Sequence, residues 1–90
     1  MSTRKREKPV LSNEAIQCRM ARVALDLSVK ELSALAQVST NTISRLERGE
    51  DLKPRTIDAI KAALEKKGVE FIPENGAGPG VRISRARDLN

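Results

Sequence analysis

Apolar residues recur along this chain at helical spacing, and three of the segments they mark open in the same way. Leu11-Ser12 precedes Ile16, Leu27-Ser28 precedes Leu32, and Val38-Ser39 precedes Ile43. In each, the serine hydroxyl can accept a hydrogen bond from an orphan backbone N–H at a helix start. The flanking apolar pair can then close as a hydrophobic staple. The second start carries a full capping box, Ser28-Val29-Lys30-Glu31, whose glutamate can reach back to the serine N–H. A fourth helix follows GEDLKP: Pro54 suits a first helical turn, and Ile57, Ile60, Ala63 and Leu64 repeat behind it. Lys66 and Lys67 complement the negative end of that helix's dipole, and Gly68 stops it. Val69 can fold back onto Leu64 as a Schellman cap.

The interval between the second and third helices decides the architecture. The second is expected over 29–36, and only Gln37, Val38 and Ser39 remain before the third. A turn so short makes the two helices meet at a steep angle, the helix-turn-helix arrangement. Leu32, Leu35, Ala36, Ile43 and Leu46 are then expected in a shared core, and Gly49 can end the third helix in a left-handed cap. The first helix carries two apolar stripes, Cys18, Ala21 and Leu25 on one side and Ile16, Met20, Val23 and Leu27 on another. One helix cannot bury both in a core this small. The second stripe is left for the tail, for a partner subunit, or for solvent.

Beyond Gly68 the pattern changes. VEFI (69–72) and VRI (81–83) are short β-prone runs, separated by the turn-rich PENGAGPG. They read as a small hairpin with a long loop, the other reading being a disordered tail. A lone two-stranded hairpin is marginal in water, so it needs another surface or strands from a second copy. The chain thus divides into a basic flexible arm (1–10), a helical domain (11–68), a hairpin suited to dimerisation (69–84) and a mobile tail, RARDLN (85–90).

Composition agrees with a small helical core. Ninety residues suffice for one small domain, and 39% are apolar with Phe71 the single aromatic. No apolar stretch approaches the roughly 20 residues of a membrane span, and no signal-peptide pattern follows the basic start. A single cysteine, Cys18, excludes an internal disulfide and fits a cytoplasmic protein. The formal charge is +5, and residues 1–8 concentrate a net +3 of it through Arg4, Lys5, Arg6 and Lys8 against Glu7. A short basic arm beside a small domain suits a polyanion such as DNA; a solubilising terminus is the alternative.

Catalytic chemistry is hard to place. The chain has no histidine, Cys18 has no thiol at metal-ligand spacing, and the glycines of GAGPG do not open a helix after a strand, so they read as a turn. No enzyme activity, cofactor, metal or small-molecule ligand is expected.

From Ser28 through Gly49, SVKELSALAQVSTNTISRLERG resembles the XRE-type helix-turn-helix of phage Cro-like and repressor-like proteins. The resemblance is specific around LxxLAxVSxxTISRLERG. It extends back through Cys18-Arg19 and Arg22 and forward from Pro54 to Leu64, about 50 of the 90 residues. It implies a mainly α fold: a four- to five-helix lambda-repressor-like DNA-binding domain with a short C-terminal β-hairpin or strand. The tail GVEFIPENGAGPGVRI is similar to one that recurs in small bacterial members of the family. Two positions depart from the pattern. Val29 stands where the family often has a glutamine associated with the DNA backbone, and Gln37 where it often has glycine. In the family, an arginine at the position of Arg22 pairs with a glutamate at that of Glu47, so Glu47 is assigned to structure.

The resemblance also implies a division of labour on the third helix. Thr40, Asn41, Ser44 and Arg45 lie off the Ile43–Leu46 face and are expected to read bases in the major groove. Ser28, Lys30, Thr42, Arg48, Lys53 and Arg55 are expected on the phosphate backbone. Glu50 and Asp51 would repel phosphate, so their loop is expected to bend them away. One helix reads few base pairs, so a homodimer on a pseudo-palindrome is expected, with Val69, Phe71, Ile72, Val81 and Ile83 as its contact. The expected function is that of a transcriptional repressor in a bacterial or phage setting. The alternatives are an antitoxin or anti-CRISPR-associated regulator that binds DNA and a protein, and an interaction module that binds no DNA.

Overall fold

The structure is a computed structural model and describes residues 13–84. The Leu11-Ser12 helix start, the basic arm and the RARDLN tail lie outside these residues. Four helices and a hairpin follow in order: α1 Asn13–Ala24, α2 Val29–Ala36, α3 Thr40–Glu47, α4 Pro54–Lys66, β1 Val69–Ile72 and β2 Gly80–Ile83. The fold is mainly helical with an antiparallel strand pair, as the sequence implies.

The helix starts work by the expected chemistry. Ser28 accepts from the Glu31 N–H at 3.0 Å, and its own N–H donates to the Glu31 carboxylate at 2.8 Å, closing the capping box. The backbone N–H of Ser28 holds the Glu31 carboxyl below the usual carboxylate range. A folded pKa below the unfolded one means that this support is present above the carboxylate range and fades as acid protonates Glu31. At α3, Ser39 accepts from the Thr42 N–H at 3.0 Å.

The helix ends share a device of their own. Asp26 (φ 58°), Gln37 (φ 59°) and Gly49 (φ 88°) are all left-handed. Their N–H groups bond back to the carbonyls of Val23, Ala34 and Leu46. The next N–H in each case, from Leu27, Val38 and Glu50, reaches Arg22, Ser33 and Arg45. Three successive Schellman motifs thus set the three inter-helix turns. Gly68 (φ 107°) ends α4 with its N–H on the Glu65 carbonyl, and Val69 re-enters the core that Leu64 occupies.

The core gathers Leu32, Ile43, Leu46, Ile60 and Leu64, each at most 2% exposed, with Cys18, Ala21 and Leu25 of the first α1 stripe. Burial pushes the Cys18 thiol up to about 12, so it sits there as a neutral, apolar group. Leu35 departs from expectation: it is 42% exposed. The inward line of α2 runs through Leu32 and Ala36, one helical turn apart, and Leu35 points aside over Ala59, Ala62 and Lys66 of α4. The second α1 stripe also divides. Leu27 packs on the core, Ile16 is half-buried, and Met20 and Val23 stay exposed along a shallow apolar groove.

The hairpin is part of the same core. Register pairs Val69 with Ile83 and Phe71 with Val81, and all four pack on the helices. On the outer face Glu70 and Arg82 form an ion pair at 2.9 Å. Four of the five side chains expected at a dimer contact are therefore turned toward the chain's own helices, Val69 fully, and a partner would meet Ile72 and the half-exposed flanks of Phe71, Val81 and Ile83. Gln17, an ordinary polar position by hydropathy, is buried and donates to the carbonyls of Ile72 (2.8 Å) and Gly80 (2.9 Å), tying α1 to the loop end of the hairpin. In the connecting loop the Glu74 carboxylate accepts from the N–H groups of Gly76 and Gly78, both left-handed, so GAGPG forms a turn closed on the chain's own carboxylate.

Gln37 adopts a conformation that costs a residue with a side chain about 1 kcal/mol relative to glycine. Gln37→Gly is expected to stabilise the protein by about 0.5–1 kcal/mol, read as a higher urea midpoint at unchanged slope. A lower midpoint would contradict the assignment.

Candidate nucleic-acid interface

The second and third helices pack on one another through Leu32, Ala36, Ile43 and Leu46, with Val38 of the turn half-buried beside them. That packing leaves one side of α3 facing outward. Thr40 and Asn41, in its first turn, are exposed. Ser44 and Arg45 follow one turn later and are half-buried at their bases. The four expected base readers therefore share one surface. Ser39 supplies the cap, and neither Thr40 nor Asn41 makes a side-chain hydrogen bond among the described residues.

Arg22 and Glu47 determine how α3 sits against α1. The Arg22 Nε and Nη2 donate to the two oxygens of Glu47 at 2.6 and 3.1 Å, while its Nη1 donates to the Leu27 carbonyl at 2.9 Å. The side chains are only 17% and 11% exposed. The hydrogen bond to Glu47 holds the Arg22 guanidinium further above its ordinary range, so it stays charged. Glu47 is thus spent on structure, and its charge is answered before any phosphate approaches.

The expected phosphate contacts frame the expected base readers. Lys30 at the start of α2, Arg48 at the end of α3, and Lys53 and Arg55 at the start of α4 are all exposed. Ser28 is engaged in its capping box, with its hydroxyl accepting and its N–H donating, so what remains for an anion is the hydroxyl hydrogen. Thr42 lies half-buried, its hydroxyl 2.9 Å from that of Ser39, beside a cleft that it shares with Arg45, Asp51 and Lys53.

Glu50 differs from expectation. It does not turn away: its carboxylate accepts from the Arg45 Nε at 2.9 Å and from the Arg48 Nε and Nη2 at 3.2 and 2.9 Å. The cause lies in the backbone. The left-handed Gly49 reverses the chain, and the Glu50 N–H bonds back to the Arg45 carbonyl, placing the side chain over the last turn of α3. Asp51 stays exposed on the rim of the cleft.

A helix-turn-helix family model, HTH_3, matches residues 19–71, more than half of the chain. The chain belongs to the XRE-type helix-turn-helix family. It is a DNA-binding regulator of that type, and α2 with α3 is its helix-turn-helix. The family match stops within the hairpin, at Phe71, so the turn-rich loop and β2 lie beyond it. A search of curated proteins found no match. No described helix of this XRE-type protein is long and apolar enough to cross a membrane.

If the cap and the reading residues have separate tasks, substitutions should separate them. Ser39→Ala is expected to cost about 1 kcal/mol of stability, and Thr40→Ala less than about 0.5 kcal/mol, in thermal unfolding. Equal losses would mean that Thr40 serves the fold.

Proposed function

We propose that this protein is a sequence-specific transcriptional repressor that binds a pseudo-palindromic operator as a homodimer and acts by occlusion. The observation that carries the proposal is the outward face of α3. There Thr40 and Asn41 are exposed and have no structural partner among the described residues, with Ser44 and Arg45 one turn behind. Asn can pair bidentately with adenine and Arg with guanine, while Thr can offer its methyl to thymine. Lys30, Arg48, Lys53 and Arg55 then fix the register on phosphates, with Ser28 and Thr42 contributing hydroxyls. The Glu31 carboxylate occupies the Ser28 N–H at the α2 N-terminus. Anion binding there falls to the remaining N–H groups of the first turn and to Lys30.

Dimerisation follows from information content. One helix reads few base pairs, and two copies with half-sites about 34 Å apart supply the rest. The hairpin contributes to the dimer through Ile72 and the strand edges, and the half-exposed flanks of Phe71, Val81 and Ile83 add to it, while Val69 is buried in the chain's own core. The protein works in the cytoplasm, without enzymatic activity and without a cofactor. A second reading, in which it also holds a protein partner as antitoxins do, draws on Met20 and Val23, which stay exposed on α1 away from the reading face.

Selection of bound sites from random DNA tests the proposal. The wild type is expected to yield an inverted repeat with half-site centres about 34 Å apart. Asn41→Ala and Arg45→Ala are each expected to relax a different position of it, at a cost of about 1–3 kcal/mol for the preferred base. Two variants that select the wild-type motif would overturn the base assignments, and an unrepeated half-site would overturn the dimer.

A further inference from the structure

We propose that Glu50 is a positioning residue of the reading face: it fixes which edge of Arg45 is offered to a base and suppresses sequence-indifferent binding by Arg45 and Arg48. The inference rests on the reading of α3 given above and deepens it.

The geometry is specific. One Glu50 oxygen takes the Nε of Arg45, and the other takes Nε and Nη2 of Arg48. A guanidinium can approach guanine along its side, through Nε and one terminal nitrogen, or end-on through both terminal nitrogens. With Nε given to Glu50, Arg45 keeps only the end-on approach. Its two terminal nitrogens make no hydrogen bond among the described residues. A long flexible side chain is thereby oriented before DNA arrives, which lowers the ordering cost on binding. Arg48, held by two nitrogens, has less freedom still.

Charge points the same way. Without Glu50 the last turn of α3 would present two unpaired guanidinium groups to any phosphate. One carboxylate shared between them removes half of that charge. Hydrogen bonds from Arg45 first, then from Arg48, hold the Glu50 carboxyl below the usual carboxylate range, so it remains ionised near neutrality. The three side chains are 41–58% exposed, so the cluster lies at the surface where DNA docks and contributes little to the core. The Glu50 backbone N–H, which closes the α3 Schellman motif, is untouched by a change of side chain.

The test compares wild type, Glu50→Gln, Arg45→Ala and the double variant on the selected operator duplex and on a random duplex across a salt series. Glu50→Gln is expected to tighten binding to random DNA about tenfold near 0.1 M salt and to steepen the salt slope by about one, the signature of one added phosphate contact. The preference for operator over random DNA should fall by a similar factor. In the Arg45→Ala background the same change should move that preference less, because the residue it orients is gone. Circular dichroism of each variant verifies that the fold is retained. An unchanged slope and preference in Glu50→Gln would overturn the inference while leaving operator recognition intact. A wild type with no operator preference would instead overturn the reading on which it rests.

Discussion

The arrangement of this domain depends on the contact between Arg22 and Glu47. A helix-turn-helix is two short helices, and eight residues each for α2 and α3 is below the length at which an isolated helix is stable in water. Tertiary packing must therefore hold α3. Leu46 and Ile43 bury its inner face, but apolar contacts are nondirectional and tolerate sliding. The bidentate pair supplies direction. It joins α1 to the last turn of α3 through two nitrogens and two oxygens, while the third Arg22 nitrogen holds the Leu27 carbonyl at the entry to α2. One guanidinium thus spans three elements. At this burial the pair need not stabilise the fold more than an apolar substitute would, but loss of either partner strands a charge.

The same economy governs the acidic residues around the reading face. Glu31, Glu47 and Glu50 each lie near the proposed phosphate contacts, and each has its charge directed to a local partner: a backbone N–H, Arg22, and the arginines Arg45 and Arg48. Negative charge there organises cationic and N–H donors. What faces outward after these pairings is a short polar patch bordered by cations, the form a major-groove reader requires.

Local features of the fold were legible in the sequence because they depend on neighbours a few residues apart. Ser28 and Glu31, Ser39 and Thr42, and the stops at Gly49 and Gly68 are encoded within one turn of helix. The left-handed turn at Gln37 is less legible, since Gln37 stands where the family's glycine would mark it, yet the backbone adopts it (φ 59°). Long-range features were harder. Gln17 reads as an ordinary polar residue on a helix, and its partners lie 55 and 63 positions away, so only the docked hairpin gives it a role. Leu35 reads as core because the core is rich in leucine. Its exposure follows from the inward line of α2 running through Leu32 and Ala36, which the spacing of apolar residues does not single out from Leu35. For Glu50 the sequence offers only its sign against phosphate; its arginine partners come near once Gly49 has reversed the chain. The resemblance singles out Thr40, Asn41, Ser44 and Arg45 as expected base readers, and the helix geometry brings the four to one surface.

If the Arg22–Glu47 pair orients α3, a double-mutant cycle measures that task most directly. Arg22→Ala, Glu47→Ala and the double variant would be unfolded in urea. A coupling of about 2 kcal/mol or more is expected, with the double variant no less stable than the worse single variant, because removing the second partner relieves the charge stranded by the first. Single losses that simply add, with coupling near zero, would contradict it and assign the orientation of α3 to apolar packing alone.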